Sequence, residues 1–397
     1  MNIITRSLFP EIKKGLADQR IIVITGMRRV GKTTTLRWLM EQIPSTNKIY
    51  LDLERLDQRE VFQEKNYDLV LAYLQNRGLD TTKPLTLALD EIQYIPNLPS
   101  VVKYLHDHHP IKFILTGSSS YHLKNLFSES MAGRKVMFEL FPLRFGEFLN
   151  FKRIKFQARH AWSEMRFDRH EYERLKGYYS EFITYGGLPD VVLEKSARVR
   201  RDLLNDIFSS YINIDVRYLA DFQKVGELQN LLKALAMRIG NKVDYSKLAK
   251  IIGISRPTVM QYLEFLEKTY VIKRVPAYAG VDKAIALGKK LYFCDTGIAG
   301  ILAQPTEGSL FENAVFNQLK HYGELAYLSH RSEVEMDFVM NPHSKRPSGF
   351  EAKLRPVEAD NRKIKQLSEK FQIKPTFLVG QHPSAEFSDF LWGGFIH

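Results

Sequence analysis

Cysteine is almost absent: Cys294 is the single one, so a disulfide within the chain and a cysteine-ligated zinc site are both excluded. It reads as a small buried hydrophobe. No stretch approaches the roughly 18 apolar residues of a spanning helix, and the charged opening "MNIITRSLFPEIKK" lacks the apolar core of a secretory signal. The expectation is a cytoplasmic protein with no membrane contact. The eleven histidines show no metal-ligand spacing; "HDHH" (106–109) reads as a solvated turn after a helix. What remains is an ordinary globular composition, 44% hydrophobic and 26% charged, long enough for two or three domains. The net charge of +12 is uneven. Residues 1–150 contribute +4, residues 151–278 contribute +8, and residues 279–397 contribute nothing. A basic middle suits a polyanion such as nucleic acid, or is a soluble basic surface with no partner.

"RIIVITGMRRVGKTTTLRWLMEQI" (20–43) predicts strand, loop and helix, the setting that G-x-x-x-x-G-K-[ST] requires. Gly26 and Gly31 let backbone N–H groups wrap phosphates at a helix N-terminus. Arg28, Arg29, Val30 and Thr34 complete the loop expected to surround them. Lys32 is placed to reach the β- and γ-phosphates, and Thr33 to ligate Mg²⁺. "PLTLALDEIQ" (84–93) predicts a buried strand ending in Asp90, a second Mg²⁺ ligand, and Glu91, which orients and deprotonates the attacking water. Further strands are predicted at 48–53, 111–120 and 135–140, which argues an α/β fold with a parallel sheet covered on both faces. "LTGSSS" offers Thr116 and Ser118 as γ-phosphate sensors, or as helix caps. Arg134 in "MAGRKV" is either an arginine finger for a neighbouring subunit, which requires a homo-oligomer, or an exposed arginine.

"GMRRVGKTT", "LALDEIQ", "ILTGSSS", "MAGR" and "FPLRFGEFL", followed by "YGGLPDVV" (185–192) and "KLYFCDTGIAGIL" (290–302), come in the order seen in a bacterial and archaeal group of AAA-superfamily ATPases. The chain resembles that group over nearly its whole length. The resemblance implies ATP rather than GTP, and no guanine-specifying Asn-Lys-x-Asp stretch appears. It also implies a winged helix and a restriction-nuclease-like fold behind the ATPase domain.

The middle (151–278) is expected to be helical and basic. "YGGLPD" is a turn-rich joint in which Gly186, Gly187 and Pro189 form either a hinge or a plain connection. Residues 244–278 read as helix-turn-helix plus wing. Gly253 ends the first helix, Ser255 caps the second and Val259, Leu263 and Leu266 form its buried stripe. Arg256 and Gln261 would then face DNA, although Glu264 and Glu267 on the same helix would repel it.

The last part (279–397) predicts the succession αβββαβ, the core of the PD-(D/E)xK nuclease-like fold that the resemblance also implies. Glu312 lies on the apolar stripe of its helix. Asp337 lies on the polar face of the second strand. Glu351 and Lys353 of "GFEAKL" share a face of the third, and Gln366 follows on the next helix. Two readings stay open. Glu312, Asp337 and Glu351 hold a further Mg²⁺ or Mn²⁺ while Lys353 positions water or phosphate, or the acids are satisfied by salt bridges. The chain is thus expected to be an ATPase acting on DNA, with metal-dependent cleavage as an option. The alternative is a nucleotide switch that recruits a protein partner through a silent nuclease-like scaffold.

Overall fold

Runs of β-branched and aliphatic residues build the first sheet. β1 (Ile21–Thr25), β2 (Lys48–Asp52), β3 (Leu85–Asp90), β4 (Ile111–Gly117) and β5 (Lys135–Glu139) pair in parallel in the order β2-β3-β4-β1-β5. This computed structural model describes residues 3–64, 66–118, 133–216, 225–330 and 334–396. Every residue of β1 and β3 is buried, as in a parallel sheet packed on both faces. Leu87, Leu89, Phe113 and Leu115 anchor its core. The strand order matters for function: β4 lies between β1 and β3, so its end stands between the phosphate loop and the Asp90–Glu91 pair.

The chain divides into two compact units. One runs through Phe141 and includes Lys268–Tyr270; the other takes most of the chain from Pro142 onward. The boundary expected near residue 150 therefore falls near 141, and no boundary separates the middle from the C-terminal part. Their elements are interleaved, as the side chains of β7 show below.

In the second unit the local chemistry sets the helix ends. α5 (Tyr245–Ile252) is capped by Asp244, whose carboxylate accepts the Lys247 N–H at 2.9 Å, and stops at Gly253 with φ +78°. A left-handed C-terminal residue is where glycine costs least. α6 (Arg256–Lys268) follows, with Ser255 Oγ accepting the Thr258 N–H at 3.2 Å. Val259, Leu263 and Leu266 are fully buried, as expected. β6 (Ile272–Pro276) and β7 (Lys289–Phe293) then pair antiparallel.

The joint at 185–190 is not a hinge. Leu143 N–H donates to the Gly187 carbonyl at 2.7 Å, and Gly187 N–H donates to Asp295 Oδ2 at 2.8 Å. A Cβ on Gly187 would lie 2.3 Å from the Leu143 carbonyl oxygen. Glycine is required there for close backbone approach, not for freedom of movement.

The second sheet has the order β12-β11-β10-β9-β8, with β12 at Leu391–Trp392. β9 (Val334–Met340) pairs antiparallel with both β8 (Leu325–His330) and β10 (Ser348–Lys353), whereas β11 (Thr376–Gly380) is parallel to β10. α8 (Glu307–Leu319) precedes β8, and α9 (Glu358–Phe371) crosses from β10 to β11. The succession read from the periodicity is present, element by element.

Candidate nucleotide site and a second acidic cluster

The phosphate loop joins β1 to α1 (Lys32–Glu41). Gly26 has φ +154° and Gly31 has φ +95°. A Cβ on Gly26 would lie 2.1 Å from the Leu140 carbonyl oxygen, whereas nothing stands within 4 Å of one on Gly31. One glycine lets the loop press on its own sheet; the other faces open space. Lys32 is buried at 4% exposure, with Nζ donating to the Met27 carbonyl at 3.2 Å and 3.9 Å from Glu91 Oε1. Such an ammonium is strongly drawn to an anion in the loop. Thr33 is half-buried and Thr34 exposed at the start of α1. Val30 is fully buried, so only its backbone can serve the site. Arg29 is exposed with φ +66°. Arg6, which the motif does not reveal, donates to the Val30 carbonyl at 3.3 Å and to the Phe141 carbonyl at 2.9 Å, tying the loop to the end of the sheet.

Asp90 is buried at the end of β3. Thr116 Oγ1 donates to its Oδ1, and Tyr50 Oη donates to its Oδ2 at 2.9 Å. Burial first, and then the charge of Asp90, pushes the Tyr50 phenol well above its ordinary pKa, so it stays a donor. Thr116 also accepts the Glu91 N–H at 3.0 Å. This bond helps hold Glu91 in a left-handed conformation, φ +54°, which a non-glycine residue adopts only under constraint. Gln93 Nε2 donates to Glu91 Oε2 at 2.6 Å. Burial raises the Glu91 carboxyl; the charge of Lys32, the Gln93 hydrogen bond and the charge of Arg28 outweigh it and hold it below its ordinary value. The structure thus brings Lys32, Asp90, Glu91 and Thr116 together at the C-terminal edge of the sheet, where open α/β sheets bind ligands. Ser118 is buried one step farther on, its N–H donating to Gln93 Oε1 at 3.3 Å. Tyr50, Gln93 and Arg6 join the site without a sequence signal, since each acts through tertiary proximity.

Arg134 lies elsewhere. It precedes β5 and pairs with Asp107 at 2.8 Å, and its carbonyl accepts the N–H of Ile21 at the start of β1. That is the N-terminal edge of a parallel sheet, opposite the phosphate loop. That position is remote from this chain's own phosphate loop; a finger for a neighbouring subunit's nucleotide would act from outside it.

The second unit carries the other constellation. Glu312 on α8, Asp337 on β9 and Glu351 on β10 do converge, but a residue that sequence reading missed stands among them. Lys290 of β7 is buried at 4% exposure. Its Nζ is 2.5 Å from Glu335, 3.4 Å from Asp337 and 3.8 Å from Glu312. Tyr292, two residues on and hence on the same face, donates to Glu312 Oε1 at 2.7 Å. Asp337 and Glu351 have further partners. Ala352 N–H donates to Asp337 Oδ2 at 2.9 Å, and Asp337 N–H to Glu351 Oε2 at 3.2 Å. Glu351 Oε1 meets Lys353 at 2.9 Å and Lys363 at 3.3 Å. Gln366 is exposed, and Lys363, one turn earlier on α9, is the residue that reaches in.

Electrostatics follow from this packing. Burial would lower the Lys290 ammonium, but Asp337, Glu312 and Glu335 hold it well above its ordinary value. Burial, and then the charge of Asp337, pushes the Glu312 carboxyl up to about 8. Glu351 is raised by the same two causes, against Lys353. Among the described residues no group of three acids or histidines is placed to hold a metal. Lys290 Nζ occupies the direction that Glu312, Glu335 and Asp337 share, so a divalent ion there would have to displace it or sit against its charge. The residues expected to hold a second metal do not fit one.

Residues 18–149 match the model of an AAA domain, and residues 176–308 match a domain of unknown function (DUF8612). An uncharacterized protein of Methanocaldococcus jannaschii is 28% identical over 342 residues, 83% of this chain and 74% of that protein. An uncharacterized protein of Haemophilus influenzae is 25% identical over 80% of this chain and 79% of its own length. Among solved structures, a Walker-type ATPase of Pyrococcus abyssi superposes with a TM-score of 0.52 at 16% identity, covering 76% of this chain and 96% of that one. At that identity the likeness is one of fold. Among the described residues no helix is long and apolar enough to cross a membrane. The N-terminal unit is accordingly an α/β P-loop fold of the AAA type.

Proposed function

We propose that this chain binds and hydrolyses ATP and couples the hydrolysis to work on DNA. The observation that carries the first half is the convergence of Lys32, Asp90, Glu91 and Thr116 at one sheet edge. The loop glycines and the buried Lys32 fit a nucleotide phosphate; Thr33 and Asp90 are the residues that would hold its Mg²⁺. Bound there, the metal neutralises charge on the phosphate oxygens. Lys32 leaves the Met27 carbonyl and binds the β- and γ-phosphates. Glu91, kept ionised below its ordinary pKa, orients the attacking water and takes its proton. Thr116 holds the Glu91 backbone in place while its own hydroxyl stays on Asp90, and so links the carboxylate nearest the metal to the base. Ser118, just past the end of β4, is the candidate that senses the γ-phosphate.

The DNA half is supported by the helix pair α5–α6 followed by the β6–β7 pair, an order of elements that suits a winged helix. Arg256, Gln261 and Lys273 are exposed there. Glu267 does not oppose this reading, because Arg274 neutralises it at 2.7 Å. Contacts of this kind position the protein on the backbone more than they read sequence.

A second reading has its own observation. Ile251 on α5 and Met260 on α6 are 51% and 47% exposed, and Glu264, one turn on from Met260, is exposed as well. An apolar and acidic face suits a protein partner better than phosphate.

The test is ATP turnover with and without duplex DNA across a salt series, with Lys32→Ala and Glu91→Gln alongside. Glu91→Gln should keep ATP binding and lose turnover by about a hundredfold or more; Lys32→Ala should lose both. Turnover stimulated by DNA, with affinity falling steeply in salt, supports the DNA reading. Turnover indifferent to DNA transfers the assignment to a protein partner. Turnover intact in Glu91→Gln would overturn the catalytic assignment.

A further inference from the structure

The acidic cluster of the second unit looks, from its carboxylates alone, like a place for a divalent cation. Its geometry describes a different occupant. A divalent ion needs several carboxylate oxygens converging with free lone pairs. Here Glu312 Oε1 already takes the Tyr292 hydroxyl, Asp337 Oδ2 takes a backbone N–H, and Glu351 divides its oxygens between two lysines and another N–H. The remaining direction, toward which Glu312, Glu335 and Asp337 all face, is filled by the Lys290 ammonium. Its position is built rather than incidental. The lysine arrives on a paired strand, it is almost wholly buried, and its neighbour Tyr292 is inserted beside it, fully buried. Gly240 leaves room for the Glu312 carboxylate: a Cβ there would lie 2.7 Å from Glu312 Oε1. Four acids (Glu312, Glu335, Asp337, Glu351) and three lysines (Lys290, Lys353, Lys363) form one network, in which adding two positive charges is unfavourable while Lys290 remains.

We propose that Lys290 is the resident cation of this cluster: β7 delivers an ammonium into the position a divalent metal would take, and the cluster accepts no metal while β7 is in place. A consequence follows from the chain order. β7 pairs with β6, which leads directly from α6, so the cation is carried on the same segment that ends the helix pair proposed to meet DNA. The acidic cluster thereby serves as a latch for that segment, and only withdrawal of the β6–β7 pair would free its carboxylates. This inference does not depend on the nucleotide assignment, because the network lies wholly within the second unit.

The test is direct counting of bound Mn²⁺ by electron paramagnetic resonance on the full chain, purified free of nucleotide. Wild type should show no Mn²⁺ site that is lost on Asp337→Asn. Lys290→Met keeps the apolar stem and removes the charge; it should gain one Mn²⁺ per chain, at least about a hundredfold tighter than wild type, and lose it again when combined with Asp337→Asn. Should Lys290→Met fail to fold, Lys290→Met with Glu335→Gln, which removes one charge of each sign, takes its place. Thermal unfolding gives an independent readout: Mn²⁺ should raise the melting temperature of the lysine variant and leave that of wild type unmoved. A wild-type Mn²⁺ site abolished by Asp337→Asn would overturn the proposal. So would a folded lysine variant that gains no site, since the ammonium would then not occupy a metal's position.

Discussion

Thr116→Val isolates the bond that joins the two carboxylates of the nucleotide site. Thr116 is fully buried, and valine has nearly its shape, so the change opens no cavity. It removes a charge-assisted donor from Asp90 Oδ1 and the acceptor of the Glu91 N–H. The first bond is worth about 1.5–3 kcal/mol and the second about 0.5–1.5 kcal/mol, so the loss is about 2–4.5 kcal/mol in all. Tyr50 remains on Oδ2, so Asp90 stays partly satisfied. The N-terminal unit, which runs through Phe141, should melt about 2–4 °C lower for each kcal/mol lost, and less if it unfolds together with the rest of the chain. Glu91 loses the tether of its left-handed backbone, and turnover should fall about 10–100-fold, equivalent to about 1.4–2.7 kcal/mol of the barrier. Nucleotide affinity should change less than about threefold, because the phosphate loop is untouched. Phosphate release measures the first quantity, and titration with a fluorescent ATP analogue the second. If affinity falls as far as turnover, or if neither changes, Thr116 does not link Asp90 to the base and the assignment is wrong.

Two further outcomes test the second unit. Gly187→Ala sets a Cβ against the immobile Leu143 carbonyl oxygen and should cost about 3 kcal/mol; an unchanged melting temperature would restore the hinge reading. Asp295 is buried and its carboxyl is pushed up to about 6, despite backbone hydrogen bonds from Gly187, Ile298 and Gly297. Because the folded form keeps this proton to a higher pH than the unfolded chain, stability should fall as pH rises from about 4 to about 6, by about 3 kcal/mol from this group. Denaturant unfolding at several pH values should show that slope reduced in Asp295→Asn, and an identical slope in both proteins would refute the cause.

The legible part of the sequence was the part governed by local rules. The phosphate loop announces itself because a short spacing of glycines, lysine and threonine is enough to shape it. β3 announces Asp90 and Glu91 because a buried strand must end where its carboxylates begin. Gly253, Ser255 and the stripe of Val259, Leu263 and Leu266 mark helix ends and faces through conformational preference and period alone. The same periodicity placed Glu351 and Lys353 on one face and set out all six elements around them. The hinge reading of Gly186 and Gly187 failed for a reason that local chemistry does not contain: the space these glycines leave is filled by Leu143 and Asp295, distant in the chain.

What only the tertiary structure decided is which charges meet. Lys290 lies 47 residues before Asp337, in a strand whose alternation says that it shares a face with Tyr292 but not what that face covers. Arg134 shows the converse. Its motif neighbours suggested an arginine finger for a neighbouring subunit, and only the parallel sheet shows that β5 starts at the edge opposite this chain's own phosphate loop, where Arg134 pairs with Asp107. Sequence determines which groups a strand or helix presents and on which side, through periods of 2 and 3.6 residues. Their partners depend on strand order and on the packing of distant segments. For buried charges the partner decides the chemistry, because a carboxylate out of water must be answered by a metal, a proton or a neighbouring cation, and here the fold supplies Lys290.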